Sequence, residues 1–155
     1  MAQAPLNTRG LVNYATNFLH MNLLSSKPVN SQAVLGLVRM LTGIFMIYHG
    51  RELFESDKID EYTKWLVDLH LPSPRSWALL GKVAELAGGI LLMLGLFTRI
   101  ATIFLTATML FIIFGLGHGK IWYEDQYPFL FVLLFIIYFF NGPGAWSLDA
   151  KREKS

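Results

Sequence analysis

The sequence predicts an all-α integral membrane protein, a four-helix antiparallel bundle with amphipathic interfacial helices at its N-terminus and in its first loop. Three features of the chain carry this reading. Of its 155 residues, 54% are apolar and only 15% are charged, with a mean hydropathy of +0.43. Four apolar stretches, about 32–50, 76–96, 98–117 and 127–141, approach the roughly 20 residues that a membrane-crossing helix needs. The second and third are joined only by Phe97-Thr98-Arg99, which leaves room for nothing but an antiparallel turn. The chain then divides into a segment over 1–31, one polytopic domain over 32–150 and a basic tail over 151–155.

In the N-terminal segment, Leu11, Ala15, Phe18, Leu19 and Leu23 recur at helical spacing, opposite Asn13, Asn17 and His20. That pattern describes a helix lying in the membrane interface or against a partner. No short apolar core with a small-residue cleavage site precedes it, so the first span is expected to act as an uncleaved membrane signal. Lys27-Pro28 ends this helix, and Asn30 or Ser31 can cap the next. The first span, AVLGLVRMLTGIFMIYHG, places Arg39, Gly43, Met46 and Gly50 on one face and ends on His49. Its glycines allow close approach of another helix. The long connection that follows repeats Ile59, Tyr62, Leu66 and Leu69 at helical period against Asp57, Asp60, Lys64 and Asp68, a short surface helix broken by Leu71-Pro72-Ser73-Pro74. The second span carries Lys82 and Glu85, and the third carries threonines and exits at Gly117-His118-Gly119. Trp122, Tyr123 and Tyr127 form an interfacial belt before the uncharged fourth span, which stops at Asn141-Gly142-Pro143-Gly144. The basic flanks place both termini in the cytoplasm.

A charge inside a span costs roughly 2.5–3.5 kcal/mol on the insertion scale and so demands a partner. Helical rise places Arg39 about 10 Å, Glu85 about 16 Å and Lys82 about 21 Å from the terminal side of the bilayer. Arg39–Glu85 is therefore the expected intramembrane ion pair, with Lys82 able to share Glu85. Spans one and three run in the same direction, so His49 and His118 emerge on one side, close to aromatic residues. An apolar, aromatic slot with one or two polar donors suits the carbonyl or hydroxyl of a quinone. Tyr48, His49, Trp77, Lys82, His118, Trp122 and Tyr123 are its expected lining, with His49, Glu85 and Arg39 as the catalytic set. The histidines show no fixed metal-ligand spacing, and no metal is assigned.

The chain has no cysteine, which excludes thiolate catalysis, Cys-ligated zinc and iron–sulfur clusters. Nothing points to a covalently bound cofactor. Its net charge of +2 comes without a basic block, so nucleic acid is not an expected partner.

The pattern Arg39-x3-Gly43-x5-His49-Gly50 resembles the first-span signature of DoxX-type membrane proteins. Glu85-x2-Gly88-Gly89 running on to Leu94-Gly95-x2-Thr98-Arg99 is similar to the next block of that family. Gly142-Pro143-Gly144-x2-Ser147-Leu148-Asp149 is similar to its closing motif. The three blocks lie in order over about 32–150. The resemblance implies a four-helix protein of the bacterial inner membrane, with Arg39, His49, Glu85 and Arg99 as its functional polar set. It also implies kinship with the quinone-reducing subunit of a thiosulfate-oxidising complex. The resulting expectation is a quinone-linked oxidoreductase subunit that takes electrons from a partner protein. The alternative is a non-catalytic accessory or assembly subunit of a larger membrane complex.

Overall fold

The computed structural model describes residues 30–152. The expected amphipathic helix within 1–31 and the last residues of the basic tail lie outside them. The described residues are helical, with no strand among them. In order they form α1 (Ser31–Gly50), a 3-10 turn (Arg51–Phe54), α2 (Ser56–Asp68), α3 (Pro74–Leu94), α4 (Thr98–Phe111) continued by a wide π-type turn (Ile112–Leu116), α5 (Gln126–Asn141) and α6 (Leu148–Arg152). Three stretches are long and apolar enough to cross a membrane: Ser31–Phe54, Pro74–Leu94 and Thr98–Leu116. α5 is apolar but shorter, at 16 residues, or about 24 Å of helix.

α1 and α3 pass each other in opposite directions with their backbones almost touching. A Cβ added at Gly43 would lie 2.5 Å from the Met93 nitrogen, and one at Gly89 would lie 2.8 Å from the Ile47 nitrogen. One at Gly50 would run into the backbone of Leu86. Small residues are what helices in lipid use to gain van der Waals contact, since lipid supplies no hydrophobic drive between them. These glycines fix the register of the pair. Met46 and Leu92 from the pair join Leu105, Met109 and Ile113 of the α4 segment and Val132, Phe135 and Tyr138 of α5 in one buried core. A hydrogen bond of 3.0 Å between Thr42 Oγ1 and Tyr138 Oη ties α1 to α5 inside that core. A second, smaller core of Ile59, Leu66 and Ala78 seats α2 on α3, with Tyr62, Leu71 and Leu116 packed around it. Asp57, Asp60, Lys64 and Asp68 are exposed on the other side of α2.

The largest boundary differences from expectation, two residues at each end, are in the second span. The second span begins at Pro74 rather than at 76 and ends at Leu94 rather than at 96. Gly95 takes the left-handed conformation, φ +64, and its N–H donates back to Leu92 O. A Cβ there would meet both Ser147 and the Arg39 guanidinium. The chain after α5 then turns through Gly144, φ +71, and folds back over the ends of α1 and α3. Ala145 N–H donates to Gln32 O at 2.8 Å, and Asp149 N–H donates to Gly95 O at 2.9 Å. The Asp149 carboxylate accepts from the Phe97 N–H, the Thr98 N–H and the Thr98 hydroxyl at 2.8–2.9 Å, capping α4 from a distant segment. Burial alone would raise this carboxyl, but these donors and the nearby Arg152 guanidinium hold it below its ordinary value.

Two expectations follow. Gly43→Ala should lower stability by about 1–3 kcal/mol through overpacking. Gly81→Ala, where a Cβ meets nothing, should be neutral or gain up to about 1 kcal/mol of helix propensity. Thermal unfolding of the detergent-solubilised variants compares the two. Asp149→Ala should cost about 0.5–2 kcal/mol at neutral pH, as loss of an N-terminal helix cap does. The folded-state value of Asp149 is depressed, so its stabilisation is complete above the ordinary carboxylate range and is lost as pH falls through the folded value. The gap between wild type and variant should therefore close in acid, in unfolding curves taken along a pH series.

Candidate functional site

Arg39 is fully buried, and it is not paired with Glu85. Its Nε donates to Pro143 O at 2.7 Å. One terminal nitrogen donates to Leu92 O and Met93 O, at 2.5 and 2.7 Å. The other donates to Ala145 O and Trp146 O, at 3.3 and 3.2 Å. Two of the five carbonyls belong to the last turn of α3, where the regular helical donors run out and the helix dipole is negative; Leu92 O also accepts from the Gly95 N–H. The other three belong to the returning C-terminal segment. The expected Arg39–Glu85 pair fails because of register. Gly43 against Met93 and Gly50 against Leu86 put Arg39 level with Leu92–Gly95, and Glu85 lies about two helical turns away, near the other end of α1.

Glu85 instead meets Lys82, whose Nζ lies 2.9 Å from Glu85 Oε2 and 2.8 Å from Glu52 Oε2. Tyr62 of α2 donates its hydroxyl to the same Glu52 oxygen at 2.5 Å. The Lys82 ammonium also sits 4.5 Å from the centre of the Tyr62 ring. Burial and the Glu52 hydrogen bond push the Tyr62 phenol up to about 12, so it stays protonated at neutral pH. Four side chains from three elements are thus drawn together: Glu52 from the 3-10 turn, Tyr62 from α2, and Lys82 and Glu85 from α3. A buried ion pair needs further hydrogen bonds to offset desolvation; here Glu52 has one from Tyr62, and Lys82 is shared between two carboxylates.

This cluster closes one side of a cavity of about 500 Å³. Lys82, Glu85 and Tyr62 line it, and His49 stands exposed at its edge. Its walls are apolar and aromatic: Trp65 and Leu66 from α2, Trp77 and Ala78 from α3, and Met109 and Phe111 from α4. Trp77 and Phe111 stack with ring centres 6.3 Å apart and planes 21° from parallel. The opposite side is the wide turn at Ile112–Leu116, where Gly117 N–H reaches back five residues to Ile112 O. Such π-type turns recur at functional sites. Asp125 secures it by accepting the N–H groups of His118 and Lys120 at 3.1 and 2.9 Å. A Cβ at Gly117 would strike the Asp125 carboxylate.

Of the expected lining, His49, Trp77 and Lys82 face this cavity, as does Glu85 from the expected catalytic set. Tyr48, His118, Trp122 and Tyr123 do not. Tyr48 lies on the outer surface under Arg51, whose guanidinium carbon is 4.3 Å from its ring centre. Trp122 and Tyr123 are 78% and 80% exposed. They sit in the turn before α5 and point away, and His118 contributes its backbone N–H to Asp125. Arg99 is exposed in the first turn of α4, beside a separate depression at the opposite ends of the helices. Sequence reasoning missed Glu52, Tyr62 and Asp125. The available signal was Tyr62, the one polar-tipped residue inside the Ile59–Leu66 stripe, and Glu52, three residues beyond His49.

The model of the DoxX family matches residues 34–118. An uncharacterized protein of Haemophilus influenzae is 39% identical over 83 residues, which cover 49% of this chain and 62% of that relative. The match therefore spans less than two thirds of the relative's length. No solved structure matches the chain.

Arg39 and Glu85 share no partner, so Arg39→Lys and Glu85→Gln should be additive within about 0.5 kcal/mol in a double-mutant cycle. Lys82→Met and Glu85→Gln touch each other and should couple by about 0.5–3 kcal/mol. Unfolding free energies of the single and double variants decide both. Arg39→Lys by itself should be among the most destabilising changes, because a buried carbonyl left without a donor costs about 1–3 kcal/mol.

Proposed function

The chain belongs to the DoxX family of membrane proteins, and we propose that it binds a quinone in the cavity between α2, α3 and α4 and supports electron transfer from a partner protein. The single observation behind this reading is the pairing of an aromatic slot of about 500 Å³ with a buried, hydrogen-bonded charge cluster on its wall. Ligand sites of this size are mostly apolar, with a few placed polar groups that fix orientation. In this reading α5, although short, completes an antiparallel four-helix bundle in the bacterial inner membrane, and the helices hold the slot at the bilayer boundary.

The bound quinone supplies the redox chemistry, and the protein supplies binding, orientation and charge. Trp77 and Phe111 offer a flat apolar wall to a ring. The His49 imidazole at the edge and the Lys82 ammonium inside are the donors for the two carbonyl oxygens of that ring. Glu85, 4% exposed at its side chain, holds Lys82 in place and provides a carboxyl group next to it. With no cysteine in the chain, thiol and iron–sulfur groups of its own are excluded, and in this reading the electrons come from a redox group on the partner. Arg39 has no place in this chemistry, since all five of its hydrogen bonds go to backbone carbonyls.

Binding of decylubiquinone to the protein in lipid nanodiscs tests the reading. His49→Ala removes one donor and should weaken binding about tenfold, the equivalent of one hydrogen bond of roughly 1.4 kcal/mol. Trp77→Ala should weaken it further, while Trp122→Ala, outside the cavity, should leave it unchanged. Equal affinity in all three variants would place the ligand elsewhere.

A further inference from the structure

The charge cluster has a direction. The side chain of Glu52 is 20% exposed, that of Lys82 11% and that of Glu85 4%. Glu52 does not line the cavity, whereas Lys82 and Glu85 do. Ion-pair contacts of 2.8 and 2.9 Å join the three in that order, from the turn outside α1 to the cavity wall. The cluster is also unbalanced: two carboxylates face one ammonium. From α2, Tyr62 is the hydroxyl donor and carries no charge, while the Lys58 ammonium, also within electrostatic reach of Glu52, is drawn off by Glu61 at 3.0 Å. From α1, His49 is within electrostatic reach of Glu52. From the turn before α5, Glu124 is drawn off by Lys120 at 3.4 Å and Asp125 by backbone N–H groups. A net negative charge held away from water is costly, and a proton taken up by the cluster removes it.

We propose that Glu52, Lys82 and Glu85 form a proton-exchange chain between the aqueous boundary and the ligand cavity, with Glu85 delivering to the ligand. This rests on the quinone reading for the identity of the acceptor, but not for the chain itself. In the delivery step the O–H bond of the Glu85 carboxyl breaks and an O–H bond forms on a ligand oxygen, leaving Glu85 a carboxylate. The electron pair that makes the ligand oxygen basic comes from the reduced redox group of the partner protein. Glu52, a carboxylate at this stage, then takes a proton from water. In one concerted step Lys82 passes an ammonium proton to Glu85 as it takes that new proton from the Glu52 carboxyl, so it remains a cation and the cluster again holds one proton. Tyr62 is a positioning residue: its hydroxyl holds the Glu52 oxygen that faces Lys82.

Infrared spectroscopy of the ligand-free, full-length protein in nanodiscs tests this without quinone or partner. The expected result is the carbonyl stretch of a protonated carboxylic acid at neutral pH, shifting on transfer to D2O and lost in Glu52→Gln or Glu85→Gln. Both substitutions keep a side-chain carbonyl for Lys82. Tyr62→Phe should keep the band and slow its deuterium exchange about tenfold, the rate equivalent of one lost hydrogen bond of roughly 1.4 kcal/mol. No such band at neutral pH, or a band untouched in both glutamine variants, overturns the proposal and leaves the triad as a fixed ionic bridge. Decylubiquinone affinity, measured on the same wild-type sample, separates the two claims. An acid band without quinone binding sinks the ligand reading alone, and quinone binding without the band sinks the proton chain alone.

Discussion

Everything at the terminal end of this molecule converges on one guanidinium. Arg39 brings five N–H donors into a fully buried position and spends each on a main-chain carbonyl. Those carbonyls come from two places where regular helical bonding runs out: the last turn of α3, where Leu92 O also accepts from the Gly95 N–H, and the irregular segment after α5. In lipid an unsatisfied carbonyl costs several kcal/mol, so non-helical backbone at membrane depth survives only where protein supplies the donors. The planar, forked guanidinium can do this at five points, and an ammonium with three donors on a single nitrogen cannot. Gly95 and Gly144 adopt positive φ around it so that the chain can come close. The Asp149 carboxylate caps α4 from the same returning segment.

With the terminal end locked in this way, the other end of the same helix pair is free to do something else. The α1–α3 contact is made of glycines as far as Gly50. Beyond that point the chain leaves the helix axis through the 3-10 turn, and α2 crosses over α3. The space between α2, α3 and α4 is left partly unfilled because large aromatic rings frame it rather than pack through it. Lys82 and Glu85 face that space because they lie one helical turn apart on α3. Glu52 and Tyr62 arrive from the turn and from α2. The intramembrane charges thus fall into two groups with different chemistry: an arginine spent on backbone, and a lysine shared between carboxylates at a cavity.

Much of this organisation is legible in the residues, and the limits are physical. The four apolar segments, the surface helix over Ile59–Leu66 and the turn at Phe97-Thr98-Arg99 follow from composition and period. His49, Trp77, Lys82 and Glu85 were recognisable as candidates because polar or amphipathic groups inside or at the end of a span are rare. Trp122 and Tyr123 lie outside the cavity, which sequence could not show because interfacial aromatics look alike whether they face a slot or the headgroups. His118 also lies outside the cavity lining, because direction along the bilayer says which end a residue reaches and nothing about its azimuth around the bundle.

The sequence by itself determined which segments are helices, because in lipid a helix satisfies its own backbone and needs only length and apolar character. Only the tertiary structure decided which charge meets which. A shift of one turn moves a side chain by about 5.4 Å, more than a hydrogen bond spans. That register is set by glycine-to-backbone contacts and by Gly95, whose consequences appear only once two helices are laid side by side.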